Sequence, residues 1–112
     1  EDHVRGLYEV MRRGQPGRSY NIGGHNERRN IDVVRAICAI LDRTHPPAPG
    51  AAFASHADLI SFVTDRPGHD FRYAINASRM RAELGLAPAT TFDAGLEATV
   101  RWYAARLTGA AA

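Results

Sequence analysis

Between Thr64 and Tyr73 the chain reads T-D-R-P-G-H-D-F-R-Y, with Arg66 and His69 on either side of a Pro-Gly pair. Pro67 presets its own backbone for a turn and Gly68 accepts a positive φ, so the chain is expected to reverse here and aim both side chains at one place. Arginine offers a planar fork of donors that stays charged at any useful pH, and histidine adds another donor. Together they suit the oxygens of a phosphate or pyrophosphate. A second reading is an exposed turn in which Asp65, Arg66, Asp70 and Arg72 neutralise one another. The local pattern leaves both open. Asn30 is the next candidate, since it closes the polar stretch H-N-E-R-R-N just before an apolar helical period. It can cap that helix by accepting from the N–H of Asp32 or Val33, or it can turn its amide outward to an anion at the helix start.

Other chemistry is poorly supplied. A nucleophile needs an adjacent base, and no serine has one in sequence; Cys38 falls on the apolar side of a helix, where a core role is expected. The five histidines lack the H-x-x-x-H or H-E-x-x-H spacing of a metal site. Glu1 and Asp2 are better explained by the electrostatics of a helix start than by acid/base work. The glycines of N-I-G-G-H-N do not have dinucleotide-loop spacing, and there is no Walker sequence.

The elements that position these residues read as follows. Val4, Leu7, Tyr8 and Met11 share one face of a first helix ending near Arg13, with G-Q-P-G as its stop. Ser19 to Gly23 is a short β-prone run. A second helix carries Ile31, Val34, Cys38 and Leu41 along one side. Thr44 to Asp58, rich in proline and alanine, is expected as a surface loop, and Leu59 to Val63 as a second strand feeding the Arg-Pro-Gly-His turn. A third extended run covers Arg72 to Asn76. Asn76 or Ser78 is expected to cap a short helix through Leu84, closed by Gly85. The last helix begins near Thr90 or Thr91 and places Phe92, Leu96, Val100 and Tyr103 on one face. The expected fold class is α/β, a small mixed lobe of about four helices and two to three short strands.

A chain of 112 residues, 45% hydrophobic and 23% charged, fits one small soluble domain with a modest core. Its net charge is +2 and all 14 basic residues are arginine, scattered rather than clustered, which argues against nucleic acid as partner. No apolar run approaches a membrane span. A lone cysteine suits a reducing compartment, so a cytoplasmic location is expected. The opening Glu1-Asp2-His3 leads directly into a helical pattern without an approach loop, which reads as part of something longer.

Several segments together carry a resemblance: E-D-H-V-R-G-L-Y, Y-N-I-G-G-H-N-E-R-R-N-I-D-V-V, V-T-D-R-P-G-H-D with R-Y-A-I-N, and E-L-G-L-A-P-A-T-T-F-D-A-G-L with V-R-W-Y. Nearly the whole chain resembles the C-terminal part of the dTDP-glucose 4,6-dehydratases, members of the extended short-chain dehydrogenase/reductases. N-I-G-G-H-N-E followed by D-R-P-G-H-D is the specific part of that likeness; E-L-G and W-Y recur more widely. The resemblance implies a C-terminal lobe that binds dTDP-glucose, with Asn30, Asp65, Arg66, Pro67, Gly68 and His69 as its substrate contacts. It also implies NAD in the full-length protein, held by an N-terminal Rossmann domain that this chain lacks, so that the chain binds no cofactor itself. The catalytic residues would likewise precede Glu1, the chain alone would be inactive, and the parent would be a homodimer serving deoxysugar synthesis such as the dTDP-rhamnose route. Phe71 departs from the family, which usually has a polar or basic residue there, and the loop before Asp58 is longer than usual. Two rival readings remain: a lobe for another nucleotide sugar in a related epimerase or dehydratase, and a stand-alone nucleotide-binding module without catalysis.

Overall fold

The computed structural model describes residues 1–68 and 74–109. They form four α-helices, α1 (Asp2–Arg13), α2 (Asn30–Thr44), α3 (Ser78–Leu84) and α4 (Phe92–Leu107), with a single-turn 3-10 helix at His56–Leu59. These elements divide into two compact units. One holds α1 and α3 with residues 14–27 and 74–91; the other holds α2, the 3-10 helix, the segment to Gly68, and α4.

In the first unit α1 starts with Asp2 and ends with Arg12 and Arg13, charges that complement the helix dipole at each end. Its buried position is Gly6, where an added Cβ would stand 2.8 Å from Met80 Cε and 3.1 Å from Ile22 Cγ2. The missing side chain is what lets α1 and α3 approach. Met80 and Leu84, 5% and 3% exposed, form the core of this unit. The face made by Val4, Leu7, Tyr8 and Met11 points outward, with Met11 76% exposed. Gly85, at φ 68°, closes α3 in the left-handed conformation expected of it. The residue before α3 is Ala77, and Asn76 contributes by accepting from the N–H of Ser78 at 3.0 Å.

In the second unit α2 packs on both α4 and the 3-10 helix. Cys38, Ile40 and Val100 are its buried apolar residues, so Cys38 is core as expected. Phe92 and Leu96 are half-buried beside Val100, whereas Tyr103, on the same expected face, is 57% exposed.

The expected strands do not form among the described residues, so the lobe is helical where an α/β mixture was anticipated. A strand is stable only when a neighbour satisfies its N–H and C=O groups. Ser19 to Gly23 is tied down by side chains instead: Asn21 Nδ2 donates to Asn76 O at 3.0 Å, Arg79 donates to Ser19 O at 3.0 Å, and Tyr20 Oη donates to Glu83 at 2.6 Å. Leu59, assigned above to a strand, ends the 3-10 helix, and the N–H of Ile60 returns to Ala57 O at 3.1 Å. Phe62 and Val63 then run exposed at 82% and 86% with no ladder among the described residues. Of the third run, residues 72 and 73 lie outside the described residues and 74–76 form no strand.

Candidate functional site

The Arg-Pro-Gly turn belongs to the second unit and lies in an exposed stretch or arm, residues 61–68. Gly68 takes φ 72°, the value that the second central residue of a type II turn requires and that side chains resist. A Cβ there would meet nothing within 4 Å, so glycine is required by the backbone and not by crowding. Asp65 Oδ1 accepts the N–H of Arg66 at 2.7 Å. That bond uses the carboxylate to shape the turn. Among the described residues, no carboxylate pairs with the Arg66 guanidinium, whereas those of Arg12, Arg29 and Arg101 are each paired. His69, Asp70 and Phe71 lie outside the described residues.

Asn30 is the first residue of α2 and not its cap. Arg29 occupies the cap position in extended conformation, with no side-chain cap bond, and its carbonyl accepts from Asp32 and Val33 at 3.0 and 3.3 Å. Arg29 instead grips Asp32 with two bonds, Nε to Oδ2 at 2.8 Å and Nη2 to Oδ1 at 2.9 Å. This pairing is the main reason the Asp32 carboxyl is held below its ordinary range. The first N–H groups of the helix are taken by the Arg29 carbonyl, so the Asn30 side chain does not cap it. Asn30 is exposed and lines one end of an open groove of about 500 Å³. The groove runs between α2, through Ile31, Val34, Cys38 and Leu41, and the stretch Leu59–Phe62 that leads into the arm. The structure thus brings Asn30 to the base of the arm that carries Asp65, Arg66, Pro67 and Gly68.

One cluster at this groove has no counterpart in the sequence reading. Asp42 of α2 accepts from Ser55 Oγ at 2.6 Å, from the His56 N–H at 2.8 Å and from His56 Nδ1 at 2.6 Å. These bonds, led by the His56 N–H and then the Ser55 hydroxyl, pull the Asp42 carboxyl down to about 2. An ionised carboxylate only accepts, so His56 Nδ1 carries the proton. The His56 ring also meets Phe53 edge to face, centroids 5.5 Å apart. Ser55 caps the 3-10 helix in a reciprocal box with Asp58, which takes the N–H groups of Ala54 and Ser55 at 3.0 Å each. Ser55-x-x-Asp58 is a legible capping signature. Asp42 carries no local mark of its part in it.

The remaining chemistry is limited. Among the described residues no group of histidine, cysteine and carboxylates can hold a metal, and no helix is long and apolar enough to cross a membrane. The adjacent glycines do not fit a dinucleotide: a Cβ on Gly23 would stand 3.1 Å from Ile75, and one on Gly24 3.0 Å from Pro88. Both are packing positions, and no strand precedes them to form the strand-turn-helix cradle of NAD.

The lobe as a whole matches part of a solved structure. The crystal structure of dTDP-glucose 4,6-dehydratase from Bacillus anthracis in complex with NAD superposes with a TM-score of 0.73 at 40% identity, covering 92% of this chain and 28% of that one. Residues 1–99 match the family model described as GDP-mannose 4,6 dehydratase, and the chain belongs to that family. Within it the chain is 54% identical over 103 residues to the dTDP-glucose 4,6-dehydratase of Neisseria meningitidis serogroup B, covering 92% of this chain and 29% of that protein. An Escherichia coli dTDP-glucose 4,6-dehydratase is 53% identical over the same length, with 28% of it covered. The chain therefore spans under a third of the length of these relatives.

Proposed function

We propose that this chain is the substrate-binding part of a dTDP-glucose 4,6-dehydratase, and that Asn30, Asp65, Arg66, Pro67, Gly68 and His69 contact dTDP-glucose, with Arg66 and His69 against its diphosphate and Asn30 on the nucleotide. The observation that carries the reading is the turn itself. Asp65 accepts the Arg66 backbone N–H, Gly68 sets the reversal, and Arg66 is exposed. The high identity to dehydratases that act on dTDP-glucose supports the choice of nucleotide sugar.

In the whole protein the reaction is an internal redox dehydration: hydride leaves C4 of the glucose, water is lost across C5 and C6, and hydride returns to C6. NAD supplies the hydride exchange, and the residues described here do not fit it, so its site is assigned to another part of the protein. This lobe binds and orients. Fixing the diphosphate places the sugar, and orientation of that kind accounts for a large part of barrier lowering in enzymes.

The family model's description favours one rival, a GDP-sugar lobe. Competition among dTDP, UDP and GDP for the protein as its gene encodes it separates the two: preference for dTDP is expected, and preference for GDP overturns the nucleotide assignment. Arg66→Ala and His69→Ala are each expected to weaken dTDP-glucose binding and leave NAD binding unchanged. A charge-assisted contact to phosphate contributes about 1.5 to 3 kcal/mol, so the loss for Arg66→Ala is roughly ten- to a hundredfold. Unchanged affinity in both variants refutes the cradle.

A further inference from the structure

We propose that Asp42 and His56 form a clip that positions the arm carrying Arg66, making them positioning residues for the diphosphate contact. The inference rests on the substrate-binding reading above and goes beyond it. Three observations carry it. The first is the density of directional bonds at one point: a single α2 carboxylate takes the hydroxyl of Ser55 and both the backbone and ring N–H of His56. The second is location. His56 opens the 3-10 helix, and the chain runs from the end of that helix through Ile60, Ser61 and Phe62 along the groove to the exposed arm. The third is that the rest of the groove is lined mainly by apolar side chains, Ile31, Val34, Cys38 and Leu41 of α2 with Leu59, Ile60 and Phe62.

Apolar contact favours burial without fixing register, whereas hydrogen bonds to an ionised acceptor fix distance and direction. The clip therefore sets where the arm leaves α2, and the chain from Ile60 onward carries that position to Arg66. Asn30 stands on the same helix as Asp42 and lines the same groove. By tying the arm to α2, the clip holds Asn30 and Arg66 in register with each other. His56 is part-buried, its side chain 19% exposed, and its ring is steadied by Phe53, so the donor at Nδ1 is held in place before any ligand arrives.

The test is a double-mutant cycle on the protein as its gene encodes it, with dTDP affinity read by calorimetry and folding read by circular-dichroism melting. His56→Leu removes the ring donor. His56→Asn keeps an amide donor where Nδ1 stands. Arg66→Ala removes the group being positioned. His56→Leu is expected to weaken dTDP binding roughly three- to tenfold, the range of coupling between networked residues, and His56→Asn to restore it to within about twofold. In the Arg66→Ala background, His56→Leu is expected to cost nothing further. A full additional loss there shows that His56 acts otherwise than through Arg66 and overturns the clip. Unchanged affinity in His56→Leu, with loss in Arg66→Ala, overturns the clip alone. Unchanged affinity in Arg66→Ala overturns the diphosphate reading, and the clip with it. Should His56→Leu fail to fold, Ser55→Ala removes another of the Asp42 bonds and is read through the same cycle with the same outcomes.

Discussion

Ile40 gives the sharpest measure of what holds the site's frame together. It is 6% exposed on α2, one of three buried apolar residues among the described residues of the unit that carries the arm, and α2 packs against α4. Ile40→Val removes one methylene and is expected to cost about 1 kcal/mol; Ile40→Ala leaves a larger cavity and is expected to cost about 3 kcal/mol. Whole domains are stabilised by only about 5 to 15 kcal/mol, and a core this small falls at the low end, so the alanine variant removes a large share. With a urea slope of about 1.5 kcal/mol/M, the midpoints move down by roughly 0.7 M and 2 M. The assay is built in. Trp102, the single tryptophan, lies on α4 between Tyr103, centroids 4.7 Å apart, and Arg106, whose guanidinium carbon is 4.7 Å above its ring. Its fluorescence reports loss of α4's surroundings directly. Midpoints that stay within about 0.3 M of the parent for both variants refute the claim that α2–α4 burial stabilises this unit.

Other expectations follow from single contacts. Because the Asp42 carboxyl is depressed to about 2, its contribution is complete above the ordinary carboxylate value and disappears as pH falls through about 2; acid unfolding of Asp42→Asn between pH 5 and 2 is expected to be flatter than the parent's, and an identical acid limb refutes the assignment. Gly68→Ala meets no atom but must hold φ 72°, so thermal melting is expected to show a loss of about 1 kcal/mol and calorimetry weaker dTDP binding; a neutral result in both shows that the turn does not need its left-handed residue. Tyr20→Phe deletes the 2.6 Å bond to Glu83 and the acceptor of the Gln15 N–H; a loss of about 1 kcal/mol in urea unfolding is expected, and none shows that residues 19–23 are held otherwise.

The helices were legible from local marks that differ between them: apolar spacing in α2 and α4, an acidic start in α1, a glycine stop in α3. Gly85 closes α3 as its sequence position indicates, since a left-handed residue after the last turn is a local requirement. The strands were misread for the opposite reason. Ser-Tyr-Asn-Ile-Gly has β propensity, but propensity describes fit to a pleated surface, and that surface must be supplied by another strand. The same limit applies to α1. Large apolar residues marked Val4, Leu7, Tyr8 and Met11 as its prominent face, yet the approach to α3 is made through Gly6, where the informative feature is an absent side chain.

The candidate site divides along the same line. Arg66, Pro67 and Gly68 were readable because a turn is specified by neighbouring residues, and the structure shows Gly68 in the conformation that stretch demands. Asn30 was placed at the helix start, but of its two readings the cap does not form, because the N–H groups of Asp32 and Val33 go to the Arg29 carbonyl. The Asp42 contacts could not be read, since their partners lie 13 and 14 residues away and meet only when the 3-10 helix folds back on α2. Ligand-touching residues are conspicuous in a sequence because their chemistry is unusual where they stand. The residues that hold them in place are ordinary until the fold brings them together, and it is at Asp42 and His56 that the arm's position is decided.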